Sequence, residues 1–287
     1  MIDDILEEIE ELYKSNGLNC SDEELIHETC IHRRKCWAKA SIEKKDNKKN
    51  KIALPYIGDN YKGDLLCIGL NFDEDGGKDA HYDLIDDKKH DNGARKLLTE
   101  GKVKINFDLA RKSYIGTSLY YSGTYLYHRI SVYANIILGC YKYENDKILS
   151  LDNRILYDSR DYLANIYSEL IFLNAIKCSP KGNKSKPFNS MYQNCFDNIL
   201  CKEIKIIKPK NILVFDKYIS ELIKNKFGCL SNTNIPGQKM EYYKISIKNT
   251  PVNVYRVIHP QGFGGNSKEL IMELHNLKQK ILKQEFH

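Results

Sequence analysis

An amide and a thiol share one apolar run. Residues 170–178 read Leu-Ile-Phe-Leu-Asn-Ala-Ile-Lys-Cys, so Asn174 closes the apolar stretch and Cys178 follows it. An asparagine side chain offers an acceptor and a donor group in fixed geometry, which suits reading the edge of a base. In a strand the same amide more often ties down neighbouring backbone. Cys178 is paired across a polar loop with Cys195. A second pair, Cys30 and Cys36, stands in the charged stretch Thr-Cys-Ile-His-Arg-Arg-Lys-Cys. Two separated thiol pairs can complete a tetrahedral S4 set, the donor set of zinc or of an iron–sulfur cluster. Cys20 or Cys201 could replace a member. Cys67 and Cys140 lie inside apolar runs and read as small core side chains.

Two further residues could do chemistry. His259 follows an apolar run and precedes Pro260 and a glycine-rich turn. It is either a structural histidine at a strand end or a hydrogen-bond donor at the mouth of a sheet. Asn71 follows Ile-Gly-Leu, where asparagine is common for turn geometry alone; its functional role would be to hold a water or a substrate group. The acidic run Asp73, Glu74, Asp75 reads as a solvated loop. The chain carries no P-loop, no dinucleotide fingerprint and no HExxH.

Positioning these residues requires strands that end where they stand. Residues 64–70, 170–178, 211–215 and 252–258 are short apolar runs, each followed by a loop and then by helical periodicity. Helices are expected over 2–14, 125–140, 188–207, 217–226 and about 267–283, with Met191, Cys195 and Ile199 recurring at i, i+4 and i+8. The pattern predicts an open α/β sheet with helices on both faces, whose ligands bind outside the carboxyl ends of the strands. Asn71, Asn174 and His259 all fall at such ends.

Composition bounds the alternatives. The chain has 287 residues, 42% hydrophobic and 29% charged, as in a soluble globular protein of one domain. We expect a single domain over 1–287, with an N-terminal segment (about 1–55) and a polar insertion (about 73–112). The net charge of +6 permits an anionic partner without requiring one. The acidic, amphipathic N-terminus is wrong for a signal peptide and no run is long enough to span a bilayer, so a cytoplasmic protein without a membrane partner is expected. Nine cysteines, an odd number, argue against a disulfide framework in that compartment.

With these residues laid out, the sequence resembles the uracil-DNA glycosylase superfamily, most closely its iron–sulfur (family 4-type) branch. The resemblance is carried by residues 172–187, Phe-Leu-Asn-Ala-Ile-Lys-Cys-Ser-Pro-Lys-Gly-Asn-Lys-Ser-Lys-Pro, then by Cys195, by Lys208-Pro209-Lys210 and by the strand at 211–215. Gly69-Leu70-Asn71 and His259-Pro260 stand where that superfamily has its first and last motifs. The resemblance implies a three-layer α/β/α sandwich with a four-stranded parallel sheet. It implies a 4Fe-4S cluster held by Cys30, Cys36, Cys178 and Cys195, with zinc as the alternative metal. It also implies that Asn174 hydrogen-bonds the uracil edge, that Asn71 places the attacking water and that His259 stabilises the departing base. An aromatic side chain should stack on that base; Tyr125 and Tyr120 are candidates, and Phe72 lies beside Asn71 as a further base contact. DNA, single- or double-stranded, would be the partner of a monomeric enzyme excising uracil or a related damaged base.

The sequence also departs from that pattern. Phe72 stands in place of a proline and Gln261 in place of a serine. These changes motivate two other readings: a glycosylase-fold protein that binds nucleic acid without cutting it, and an enzyme acting on another modified base.

Overall fold

Strands buried on both faces show no polar alternation, and here that pattern assembles the middle of a sheet. The computed structural model describes residues 2–16, 55–58, 60–70, 125–156, 166–177, 187, 189–233, 240–258 and 267–285. Its strands are β1 (Tyr56–Ile57), β2 (Leu65–Gly69), β3 (Lys142–Glu144), β4 (Lys147–Leu149), β5 (Leu170–Asn174), β6 (Asn211–Val214), β7 (Cys229–Thr233), β8 (Met240–Ile247) and β9 (Thr250–Val257). Seven of them form one sheet in the order β1-β5-β2-β6-β9-β8-β7, and β3 with β4 makes a separate hairpin.

The four strands expected from sequence are neighbours and run parallel. Gly69 pairs with Asn174, Ile68 with Val214, and Val214 with Arg256. The sheet as a whole is nevertheless mixed, which corrects the expectation of a four-stranded parallel sheet. β1 adds antiparallel to β5 on one edge, and β8 and β7 extend the other edge antiparallel to β9. The extension depends on a tight turn. Lys248 and Asn249 adopt positive φ (51° and 66°), as a two-residue hairpin requires. Pairing with β8 also starts β9 at Thr250 rather than at Val252.

Side-chain parity divides the core into two layers. Leu66, Ile68, Ile171, Leu173, Ile212, Val214, Val252 and Val254 face one side. There they meet α1 (Ile2–Ser15), α3 (Asn189–Cys195), α4 (Cys201–Ile207) and α5 (Lys217–Phe227). Leu65, Cys67, Leu170, Phe172, Leu213, Tyr255 and Val257 face the other side, against α2 (Tyr125–Leu138) and α6 (Ser267–Glu285). Each large apolar side chain fully buried in these layers contributes about 1.5–3 kcal/mol.

The helix expected over 188–207 is divided. A π-helical turn, Phe196–Leu200, separates α3 from α4, and Met191, Cys195 and Ile199 are all buried. α4 stops where Lys208 turns left-handed (φ 50°) and donates its N–H to the Ile204 carbonyl at 3.0 Å, with Pro209 next. No helix among the described residues is long and apolar enough to cross a membrane.

Candidate functional site

Chain order reverses inside the parallel strands. From β2 the chain moves to β5 on one side, then returns to β6 on the other side of β2. In an open α/β sheet the crevice at such a reversal, outside the carboxyl ends of the strands, is where ligands bind. The residues at those ends are Gly69 and Leu70, Asn174, Phe215 and Asp216, and Ile258.

Asn174 is the expected site residue that this end displays. It is 5% exposed. Its side chain shares a face with Phe172, two residues earlier, and so belongs to the α2/α6 side. Backbone pairing continues past it, because the Ala175 N–H donates to the Gly69 carbonyl and the Ile176 N–H to the Leu70 carbonyl, both at 2.8 Å. Gly69 matters through what it lacks. A Cβ there would stand 2.9 Å from Phe172 Cζ and 3.0 Å from Asn174 Oδ1, so a larger residue would press on the Phe172 ring and on the amide over β2. No described residue hydrogen-bonds that amide, and its polar atoms are not among the fully enclosed side-chain atoms left without a partner.

Tyr125 opens α2. Cys140, just past the other end of that helix, lies within electrostatic reach of Glu169, the residue before β5. α2 therefore runs back against the strands, and its 14 residues cover about 20 Å, comparable with the strand length. Tyr125 thus begins the helix toward the same end of the sheet as Asn174. Asn71, Phe72, Tyr120 and His259 lie outside the described residues. Asp216, which could pass for an acid at this end, caps α5 instead: its Oδ1 accepts the Ile219 N–H at 2.8 Å.

Of the proposed ligand thiols, Cys195 is the described one, and it falls on the opposite face. Cys195 is 5% exposed, is not in a disulfide, and packs within the α1/α3/α4/α5 layer. Its helix reaches the carboxyl end of the sheet. Tyr192, one turn earlier, has its hydroxyl pushed up to about 12, first by burial and then by the Asp216 carboxylate at the end of β6. Cys30, Cys36, Cys178 and Cys20 lie outside the described residues. Cys178 directly follows Lys177, which is buried in the same layer as Cys195. Four such thiolates are the right donor chemistry for a 4Fe-4S cluster, and the buried, reduced Cys195 fits that set. Cys201 fits less well: its Sγ donates to the Asp197 carbonyl at 3.2 Å, and burial pushes its thiol up, away from the thiolate a metal needs. Burial likewise pushes the Cys67 thiol up, as befits a core side chain. Among the described residues no group of three or more His, Cys, Asp or Glu side chains could hold a metal ion.

One feature escaped the sequence reading. Lys177 Nζ meets Glu203 Oε2 at 2.8 Å with both side chains buried, and Tyr13 donates its hydroxyl to Glu203 Oε1 at 2.7 Å. Lys177 also stands over the Tyr13 ring, 5.6 Å from its centre. The signal was present: a lysine at the end of an apolar strand must find a counter-charge. Nothing in the linear pattern identified Glu203 as that partner. A second buried carboxylate, Glu241, is flanked by Lys224 and by Arg256 Nε at 3.1 Å, which ties α5, β8 and β9 together.

Compared with known proteins, the chain matches no protein-family model and no curated protein sequence.

Proposed function

We propose that this protein is a DNA glycosylase of the uracil-DNA glycosylase type, excising uracil or a related damaged base, with a structural 4Fe-4S cluster. The observation that carries the reading is Asn174: a buried amide without a described partner, held over Gly69 at the carboxyl end of β5, beside the reversal of strand order. The four parallel strands, with helices on both faces, support the three-layer sandwich that such an enzyme would use.

The chemistry follows from the residues proposed for the crevice. A base must leave the duplex stack to be excised, and the carboxyl end of the sheet would receive it. Asn174 would hydrogen-bond its edge, with Tyr125 or Phe72 against its face. The bond between C1′ and the base nitrogen then breaks and the electron pair leaves with the base. A water held by Asn71 adds its oxygen to C1′, and its proton is released. His259 would donate a hydrogen bond to the oxygen on which negative charge develops. Such a donor is worth more in the transition state than in the ground state. The cluster, bound by Cys30, Cys36, Cys178 and Cys195, would clamp the N-terminal segment to the 178–195 region without entering the reaction.

The test is direct. Protein purified without oxygen should contain iron and sulfide, and should leave alkali-labile sites in uracil-containing oligonucleotides, an activity that His259→Ala abolishes. Binding of DNA without base release would favour the non-cutting reading. Release from another modified base alone would redirect the substrate, and one zinc without iron would replace the cluster.

A further inference from the structure

The buried Lys177–Glu203–Tyr13 network does work that simple packing would not need. It lies in a layer built from Ile9, Leu12, Ile176, Ile204 and other apolar side chains. Lys177 is 1% exposed and Glu203 is fully buried. Taking two charges out of water is costly, and apolar side chains of similar volume generally stabilise a core as well or better. What an ion pair supplies that apolar packing does not is direction. The two oxygens of Glu203 each hold one group: Oε1 takes the Tyr13 hydroxyl from α1, and Oε2 faces the Lys177 ammonium. The second contact is a meeting of opposite charges, 2.8 Å apart without hydrogen-bond alignment, so Lys177 is drawn toward α4 by its charge.

The position of this network in the chain is what gives it consequence. Lys177 is three residues past Asn174 and one before Cys178. Asn174 belongs to one face of the sheet and Lys177 to the other, as residues three apart in a strand do. The alternation breaks between Ala175 and Ile176, which both pack in the α1/α4 layer, so the chain turns out of the sheet just before Lys177. Pulling on Lys177 fixes that turn. Tyr13 is on the last turn of α1, three residues before the N-terminal helix gives way to the segment with Cys20, Cys30 and Cys36.

We propose that Lys177, anchored by Glu203 and Tyr13, is a positioning residue that sets the direction in which the chain leaves β5, and so holds the Asn174 amide and the start of the segment that carries Cys178. On this account α1 is part of the frame of the site rather than an appendage. The role in base release and metal binding rests on the glycosylase reading; the structural coupling of α1 to the end of β5 does not.

The experiment separates positioning from stability by replacing the whole network with apolar side chains, in Tyr13→Phe/Lys177→Met/Glu203→Leu. We expect this variant to melt at or above the wild-type temperature. Amide hydrogen exchange should nevertheless quicken roughly tenfold over residues 2–16 and 174–177 while β6 and β9 stay protected. Iron per chain should fall, and base release should lose kcat more than it gains KM. If exchange in both segments stays at the wild-type rate, the network only stabilises the core and the proposal is overturned. Glu203→Gln keeps the shape and the Tyr13 contact while removing the charge. It should show faster exchange at 174–177 on its own, and wild-type exchange there would equally sink the idea, even if the triple variant does not fold. Absence of base release from the wild-type protein would defeat the glycosylase reading and leave the exchange result to decide the coupling.

Discussion

Asn174 and Lys177 stand three residues apart at the end of one strand, both buried, and their surroundings could hardly differ more. Lys177 meets Glu203 at 2.8 Å, and Glu203 also holds Tyr13. Asn174 has no hydrogen-bond partner among the described residues and a glycine cleared away beneath it. A counter-charge fixes the buried lysine in the framework even without an aligned hydrogen bond, whereas an amide that no described residue engages can take its hydrogen bonds from a ligand. On the proposed reading the two faces of the sheet carry different duties at the same end, with recognition on the α2/α6 side and anchorage on the α1/α4 side.

The sharpest way to break that contrast is to remove the anchored charge. Lys177→Ala leaves Glu203 buried without its cation and should cost about 3–5 kcal/mol, read from urea denaturation. A cost below about 1 kcal/mol would show the pair to be idle. Asn174→Ala should behave oppositely. Folding stability should change by less than about 1 kcal/mol, because no described bond is lost, while uracil excision falls roughly 100-fold or more. Iron content should be unchanged in that variant, whereas Cys178→Ala should lose the metal; equal loss from both would dissolve the division of labour.

Gly69→Ala probes the space between the two strands. The new Cβ would press on Phe172 Cζ and Asn174 Oδ1, so a loss of about 1–3 kcal/mol is expected together with reduced excision. Unchanged denaturation and activity would mean that the amide does not need its present place. The smallest effect belongs to His275, a buried polar group on the α2/α6 side of the sheet. Tyr141 donates to or accepts from its Nδ1 at 2.8 Å, and Tyr143 stacks on its ring at 4.3 Å. Burial holds its pKa below the ordinary histidine value. The folded protein then binds the proton less readily than the unfolded chain. Its contribution should be complete above about pH 6.5 and be lost as the pH falls below that, toward the folded value. Urea midpoints measured from pH 7.5 to 5 against His275→Gln would show it, and parallel curves would remove His275 from the account.

How far the sequence could be read varied with how local the cause was. The middle strands were legible because a strand buried on both faces advertises itself by an unbroken apolar run, as in Leu65–Gly69 and Leu170–Asn174. α1, α5 and α6 were legible by their periodicity. β8 was missed because Met-Glu-Tyr-Tyr-Lys-Ile-Ser-Ile mixes charges with apolar residues, and Glu241 is buried only through Lys224 and Arg256. The π-helical turn after Cys195 was missed because the i, i+4 spacing of Cys195 and Ile199 reads the same for either helix. At the site, Asn174 could be singled out by type and position, as could Cys195. That Asn174 meets no hydrogen-bond partner among the described residues, and that Gly69 lies beneath it, could not.

By itself the sequence determined which segments must be buried, where the strands end, and that an amide, a lysine and a thiol follow one another at one of those ends. Those are consequences of side-chain chemistry along a chain and need no fold to state. Only the tertiary structure decided that β5 lies beside β2, that β6 lies on the other side, and that the amide and the lysine part to opposite faces. It alone supplied Glu203 and Tyr13 from distant helices. The reason is physical: hydrophobic burial is non-directional and legible residue by residue, whereas a buried charge is satisfied only by a partner brought to within a few ångströms, and chain distance says nothing of that.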